Sequence, residues 1–314
     1  MSLRVSLFQS FKKEVPKNGA GFLHKMPFKM QREPIPKSVL IKRKTFNWFF
    51  LTLTWIAVGI GLSVLFWILG YLTLKGVQGL NIDLFTKVGG DPDDGGLLHA
   101  FVGHAIISLL TVLIGVPLGI LIGIYLAEYA RFSKFGKIIS NTSDIMLAAP
   151  SIVIGVFVYI ILVKPIGNFN ALAGAVSLAI LMIPVILKTT ENMLHLVPDT
   201  LREAAIALGA PKWRVILSVV LPSAKFGILT GTVLGIARIV GETAPLLFTS
   251  FNNNFLNLNL FKPTASLTVT IYQYALSPFP NWQNQAFAAA LLLTLFVLFA
   301  TLTAKFILQR RFKV

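Results

Sequence analysis

Cysteine is absent from this 314-residue chain, which excludes a disulfide framework and a thiolate metal site. Charge is scarce. Only 13% of residues are charged, against about 25% in an ordinary soluble domain. Hydrophobic residues make up 55% and mean hydropathy is +0.76, so a soluble domain is excluded. Acidic residues are the scarcer sign, 12 against 28 Lys and Arg. No Gly-x-x-x-x-Gly-Lys-Ser/Thr occurs, so the chain has no phosphate-cradling nucleotide loop. No catalytic triad or carboxylate pair stands out. His99, His104 and His195 are spread out and lack the spacing of a metal set. No internal repeat is evident, so the usual pointer to an inverted-repeat secondary transporter is missing. Enzymatic, metal-binding and cofactor-binding roles are therefore not expected.

What the chain does have is long apolar runs. A basic, mostly polar segment, 1–45, carries 11 Lys and Arg against 2 acidic residues. A cytoplasmic N-terminus is expected from the positive-inside rule, and nucleic acid is not an expected partner. The first run, Phe46–Leu74, is too long for a signal peptide and lacks a cleavage pattern. Trp48 and Tyr71 near its ends suit the two interfaces. With the acidic loop after it, this run makes an extra element, 46–97. The run Asp91-Pro92-Asp93-Asp94-Gly95-Gly96 lacks calcium-loop spacing and the closing glutamate, so a solvated external turn is expected.

Five further spans are expected: 101–127, 144–163 with Pro150 inside it, 171–187 interrupted by Pro184, 223–250 and 285–308. Gly103, Gly115, Gly119 and Gly123 in the second span suit close helix approach. Proline recurs from the second span to the fifth, which favours a bundle that moves. The short loop with Arg131, Lys134 and Lys137, and the basic end 309–314, fall on the cytoplasmic side if both termini do. The main transmembrane region is 98–308.

Two constellations carry chemistry. Arg238 and Glu242 lie inside the apolar run from Phe226 to Ser250. At 1.5 Å per residue Arg238 is about 18 Å beyond Phe226, near the middle of a ~30 Å hydrocarbon core. Charge at that depth costs a few kcal/mol and points to a functional site facing the protein interior. A spacing of four places both side chains on one helical face, where they can pair. Pro245 lacks an N–H and crowds the carbonyl of Gly241, so a kink or break is expected beside the pair. A structural ion pair between helices is the other reading.

The second constellation is the polar insert 188–222. Its run Arg202-Glu203-Ala204-Ala205-Ile206-Ala207-Leu208-Gly209-Ala210-Pro211 is followed by Leu221-Pro222. Gly209 suits the left-handed position that stops a helix, and Pro211 the first turn of the next. Leu201, Ala205 and Leu208 should share one face. A helix, a sharp turn and a second helix entering the membrane are expected, with an amphipathic hairpin on the lipid surface as the alternative.

Glu203-Ala204-Ala205, Gly209 six residues later and Pro222 thirteen beyond it resemble the EAA loop of ABC-importer permeases. The resemblance covers about 98–308 and implies an all-α polytopic bundle of about six spans, the type I importer permease (MetI-like) fold. In that family the loop is a coupling helix that docks on the ATP-hydrolysing subunit. Arg202, Glu203, Ala204, Ala205, Leu208 and Gly209 would carry the coupling, with helix breaks at Pro222 and Pro245.

Within the family, Gly241-Glu242-Thr243-Ala244-Pro245-Leu246-Leu247-Phe248 resembles the permeases of the phosphate-specific, PstA type. The Thr189-Thr190-Glu191-Asn192-Met193 run and Ser277-Pro278-Phe279 are similar too. Lys188 departs from the arginine expected there, and a plain positive-inside anchor is its reading. The resemblance implies a subunit without catalysis in an importer of inorganic phosphate, in the inner membrane. A PstC-like second permease, a PstB-like ATPase dimer that binds the ATP, and an external PstS-like phosphate-binding protein would be its partners, with membrane lipids around it. Another oxyanion as cargo, a proton-coupled carrier using Glu242, and a membrane scaffold are the competing readings.

Overall fold

The structure is a computed structural model that describes residues 37–92 and 94–311. Most of the 1–45 segment, Asp93 in the 91–96 turn and the last three residues of the 309–314 end lie outside the described residues. All regular structure among the described residues is helical. In chain order the helices are α1 (Lys37–Gln78), α2 (Asp83–Thr86), α3 (Leu98–Tyr129), α4 (Lys134–Ala148), α5 (Ser151–Ile166), α6 (Ala171–His195), α7 (Asp199–Ala207), α8 (Lys212–Val240), α9 (Ala244–Thr249), α10 (Leu267–Ala275) and α11 (Pro280–Arg311). Five of them, α1, α3, α6, α8 and α11, are long and apolar enough to cross a membrane, and the bent pair α4–α5 makes a sixth if counted as one span. A polytopic bundle of five to six spans is therefore what the sequence encodes.

Contacts divide the chain between Phe66 and Trp67. Up to Phe66 the described chain is the first part of α1, with large exposed apolar side chains and the Phe46 and Phe50 rings 4.6 Å apart at an interplanar angle of 59°. From Trp67 onward the core is organised around α6, the most buried span. Its burial follows from glycine stripes on the helices beside it. Gly115, Gly119 and Gly123 of α3 face Met182, Ile186 and Thr190 of α6. A Cβ on Gly119 would lie 2.8 Å from Cβ of Ile186, and one on Gly123 2.6 Å from Cβ of Thr190. On α8, Gly227, Gly231 and Gly235 face Met193, Thr189 and Ile186. Lipid offers no hydrophobic drive for helix association, so close backbone approach and van der Waals contact hold such a layer.

The structure corrects several expected boundaries. The third span is not one rod over 144–163. Ala149 and Pro150 take extended backbone, and α4 and α5 meet at a bend of 106°. A residue before proline is pushed out of the helical region, and proline has no N–H to continue the ladder. Pro184, by contrast, does not interrupt its span: α6 runs unbroken through it to His195. Neighbouring helices tolerate an internal proline in a packed bundle.

Three π turns occur among the described residues, at Tyr125–Tyr129, Tyr159–Val163 and Ile216–Val220. The loop between α2 and α3 is folded on itself. Lys87 bridges Asp94 and Asp83, and those two carboxylates, Asp94 first, hold its ammonium pKa above the ordinary value. Leu97 N donates to Leu84 O at 2.9 Å, closing the loop.

Candidate functional site

The Arg238 region is an unwound helix end. α8 stops at Val240, Gly241 caps it, and Gly241 N and Glu242 N donate back to Arg238 O and Ile239 O. α9 then starts afresh at Ala244. The break falls beside the charged residues, where the sequence places it. Pro245 sits in the first turn of α9, where its missing N–H has no intrahelical acceptor to lose. Two contacts fix the break. Thr268 Oγ1 of α10 donates to Glu242 O at 3.0 Å, and Gly155 of α5 lies directly against Pro245.

Glu242 therefore lies beyond the helix, and its Oε1 is 4.0 Å from Arg238 Nε. That is an electrostatic contact too long for a hydrogen bond. The Arg238 side chain is 47% exposed on this chain and makes no hydrogen bond with the described residues, while Glu242 is 20% exposed. The expected inward-facing pair is thus a loose one. Glu242 is partly sheltered, and the guanidinium projects from the chain with its donors free.

The insert folds as a helix, a turn and a second helix. α7 runs to Ala207, and Gly209 takes φ +82°, the left-handed conformation. Its N–H donates to Ile206 O at 2.8 Å, and Ala210 N donates to Ala205 O at 3.3 Å. Pro211 caps α8 instead of lying inside its first turn. Pro222 does not break α8. The π turn Ile216–Val220 precedes it, and the helix continues to Val240. A π turn absorbs one extra residue while keeping backbone bonds, so proline is accommodated without a stop.

The faces of α7 differ from the expected pattern. Ala205 packs toward Leu194, Val197, Val215 and Val220. Leu208 is 89% exposed, because the helix has ended before it, and Leu201 and Ile206 are exposed as well. Glu203 and Ala204 also face outward.

Arg202 is the residue turned inward. Its Nη2 donates to Glu128 Oε1 at 2.7 Å and to Leu194 O at 2.8 Å, and its Nη1 donates to Val197 O at 2.6 Å and Asp199 Oδ1 at 3.2 Å. Glu128 is 6% and Arg202 13% exposed. Arg131 reaches the same Asp199 at 3.1 Å. Sequence reasoning missed Glu128, which lies 74 residues from its partner in the π turn ending α3. The only local signal was an acidic residue at the end of an apolar run.

Lys188 is also more than a positive-inside anchor. Its Nζ donates to Ser140 Oγ at 2.6 Å and Asp144 Oδ2 at 2.9 Å, with Glu191 Oε2 3.8 Å away. It fastens the amphipathic α4 to α6. Among the histidines, His99 Nδ1 accepts from Gly89 N at 3.0 Å, while both ring nitrogens of His104 are buried without a partner. His195 lies apart on an exposed stretch at the end of α6.

Residues 119–314 match the family described as binding-protein-dependent transport system inner membrane component. The chain is 51% identical over 270 residues to the phosphate transport system permease protein PstA of Haemophilus influenzae, covering 86% of this chain and 96% of that one. It is 48% identical over 272 residues to PstA of Pasteurella multocida, covering 86% and 97%. In structure it is similar to the inward-facing MetNI methionine ABC transporter, with TM-score 0.54, 20% identity and coverage of 68% and 94%. It is also similar to a bacterial ABC transporter that imports alginate, with TM-score 0.59, 15% identity and coverage of 87% and 99%. Those two likenesses establish the MetI-like permease fold. An apolar multi-span bundle, an EAA-like loop with its glycine stop, and relatives matched over nearly their whole length at this identity all converge, and the chain belongs to the binding-protein-dependent transport system inner membrane components, within them to the PstA-type permeases.

Proposed function

We propose that this chain is the permease subunit of an ATP-driven importer of inorganic phosphate and forms half of the translocation path. Hydrolysis belongs to a partner, a PstB-like ATPase dimer, and the chain needs no cofactor of its own. A PstC-like permease completes the path, and an external PstS-like protein delivers the anion. Both termini and the insert face the cytoplasm, which gathers the basic loops on one side. The transmembrane region is 98–308, with 46–97 an added span and loop.

The observation that carries the substrate role is the state of Arg238. Its guanidinium projects from the chain beside an unwound helix end and has its donors free. A planar fork of donors suits phosphate oxygens. One such arginine gives a weak site that releases its anion, as a pathway requires. Glu242 lies 4.0 Å from Arg238 Nε, close enough to balance it when the path is empty and too far to hold it. Its carboxylate can accept from the protonated oxygen of phosphate, a hydrogen that fully ionised sulfate lacks.

Coupling runs through α7. Leu201, Ile206 and Leu208 are exposed apolar side chains that docking on the ATPase would cover, and Arg202 ties the helix to the end of α3. The test is phosphate uptake by vesicles carrying the assembled complex, with ATPase activity measured in parallel. Arg238→Gln should abolish uptake while assembly and hydrolysis persist, and Arg238→Lys should retain part of it. Undiminished uptake in Arg238→Gln would place the anion elsewhere.

A further inference from the structure

A cavity of 580 Å³ opens between α3, α8 and α11, within the range of about 300–1,000 Å³ usual for small-ligand sites. Its walls are apolar, with Phe101 and Val112 of α3, Ile236 of α8 and Phe296 of α11 among them. Two polar side chains interrupt this lining, His104 and Ser108, one turn apart on the same face of α3. His104 is 8% exposed, and neither its ring nitrogens nor Ser108 Oγ has a hydrogen-bond partner. Such groups are costly to leave unsatisfied and mark the place of a missing polar atom. A free anion does not fit, because no cation lines the cavity and its walls are hydrocarbon.

Depth identifies the occupant. α3 has 32 residues and is about 48 Å long, so it overhangs a ~30 Å hydrocarbon core by about 9 Å at each end. His104 lies six residues, about 9 Å, beyond Leu98, at the edge of that core, where the ester carbonyls of lipids sit. From Phe101 to Val112 the cavity follows α3 for about 16 Å, close to the ~15 Å depth of one leaflet.

We propose that this cleft holds one acyl chain of a glycerolipid from the leaflet on the side of the 83–97 loop. The chain lies along Phe101 to Val112, and a turn of the His104 and Ser108 side chains, whose polar atoms are buried in the cleft wall, brings their donors to its ester carbonyl. In neutral imidazole one nitrogen donates, and the hydroxyl supplies the second donor. The lipid thus fills the gap between α3 and α11 beside the end of α8, two residues from Arg238 at both Ile236 and Val240. The proposal rests on the membrane-spanning reading of α3 and does not depend on which anion is carried.

The test uses the assembled complex reconstituted in phospholipid vesicles doped with a phosphatidylethanolamine carrying a diazirine near its acyl ester. After illumination, labelled peptides are mapped. Label should concentrate on 101–112 and 236–240. Ala105→Trp, which places an indole in the cleft, should lower that label about five-fold or more while label on α1 stays constant. His104→Phe should lower it too, and His104→Gln, which restores a donor, should recover it. Label spread evenly over all apolar helices, or unchanged in His104→Phe, overturns the proposal. So does a photoreactive residue at position 105 that crosslinks to a second permease chain, since protein would then cover the cleft.

Discussion

Arg202 Nη2 and Glu128 Oε1 are 2.7 Å apart, so α7 is fastened to the π turn that ends α3. The same guanidinium caps Leu194 O and Val197 O at the end of α6. One side chain thereby joins three elements. A motion of α7 must move the ends of α3 and α6 with it, or break a sheltered ion pair. Breaking such a pair by removing one partner costs roughly 3–5 kcal/mol.

Glu128→Ala leaves Arg202 sheltered without its carboxylate. ATP hydrolysis by the complex should persist while phosphate uptake per ATP falls several-fold. Glu128→Asp, which keeps the charge but shortens the reach, should fall between. Uptake and hydrolysis measured on the same vesicles check this, and unchanged coupling in Glu128→Ala would show that α7 is held by its apolar contacts alone.

Gly209 has φ +82° and open space where a Cβ would go. A side chain there meets no neighbour, so only backbone strain of about 1–2 kcal/mol opposes it. Gly209→Val should leave membrane insertion intact and uncouple ATPase activity from transport. Gly209→Asn, whose side chain tolerates the left-handed region, should stay close to wild type. Equal loss in both variants would point to a steric demand from the docked ATPase instead.

Glu242 is set apart from Arg238 by the end of α8 and held by its backbone through Thr268. Glu242→Gln should reduce the preference for phosphate over sulfate, read as the ratio of uptake rates with each anion in competition. A preference equal to wild type would remove Glu242 from selectivity and leave it a counter-charge to Arg238.

Lys188 joins Ser140 and Asp144 of α4 to α6. Hydrogen bonds to charged groups contribute roughly 1.5–3 kcal/mol. Lys188→Met should lower the unfolding temperature of the complex and expose α4 to protease. Asp144→Asn should add little on top of it, as expected for two members of one contact. Full additivity in the double variant would mean that the two groups act apart.

Much of this was legible in the residues. The apolar runs announced the spans, and Gly209 announced the turn, because helix stops and membrane crossings are set within a few residues of chain. The glycines of α3 marked a packed face, and the spacing from Glu203 to Gly209 to Pro222 marked the family. Local reading failed where proline was concerned. Pro150 marks a 106° bend, whereas Pro184 and Pro222 are carried inside continuous helices. The residue type is the same, and packing around the freed backbone decides the outcome.

The sequence alone thus determined the membrane-spanning helical class, the turn at Gly209 and the presence of a charged pair within an apolar run. These are properties of hydropathy, backbone preference and short spacing. Only the tertiary structure decided that Arg202 faces inward to Glu128, that Lys188 fastens α4, and that Arg238 projects with free donors while Glu242 lies beyond the helix. It also set the unsatisfied His104 and Ser108 in an apolar cleft. Each of these depends on elements tens of residues apart in the chain, and the close approach of glycine-lined helices around α6 brings those elements together.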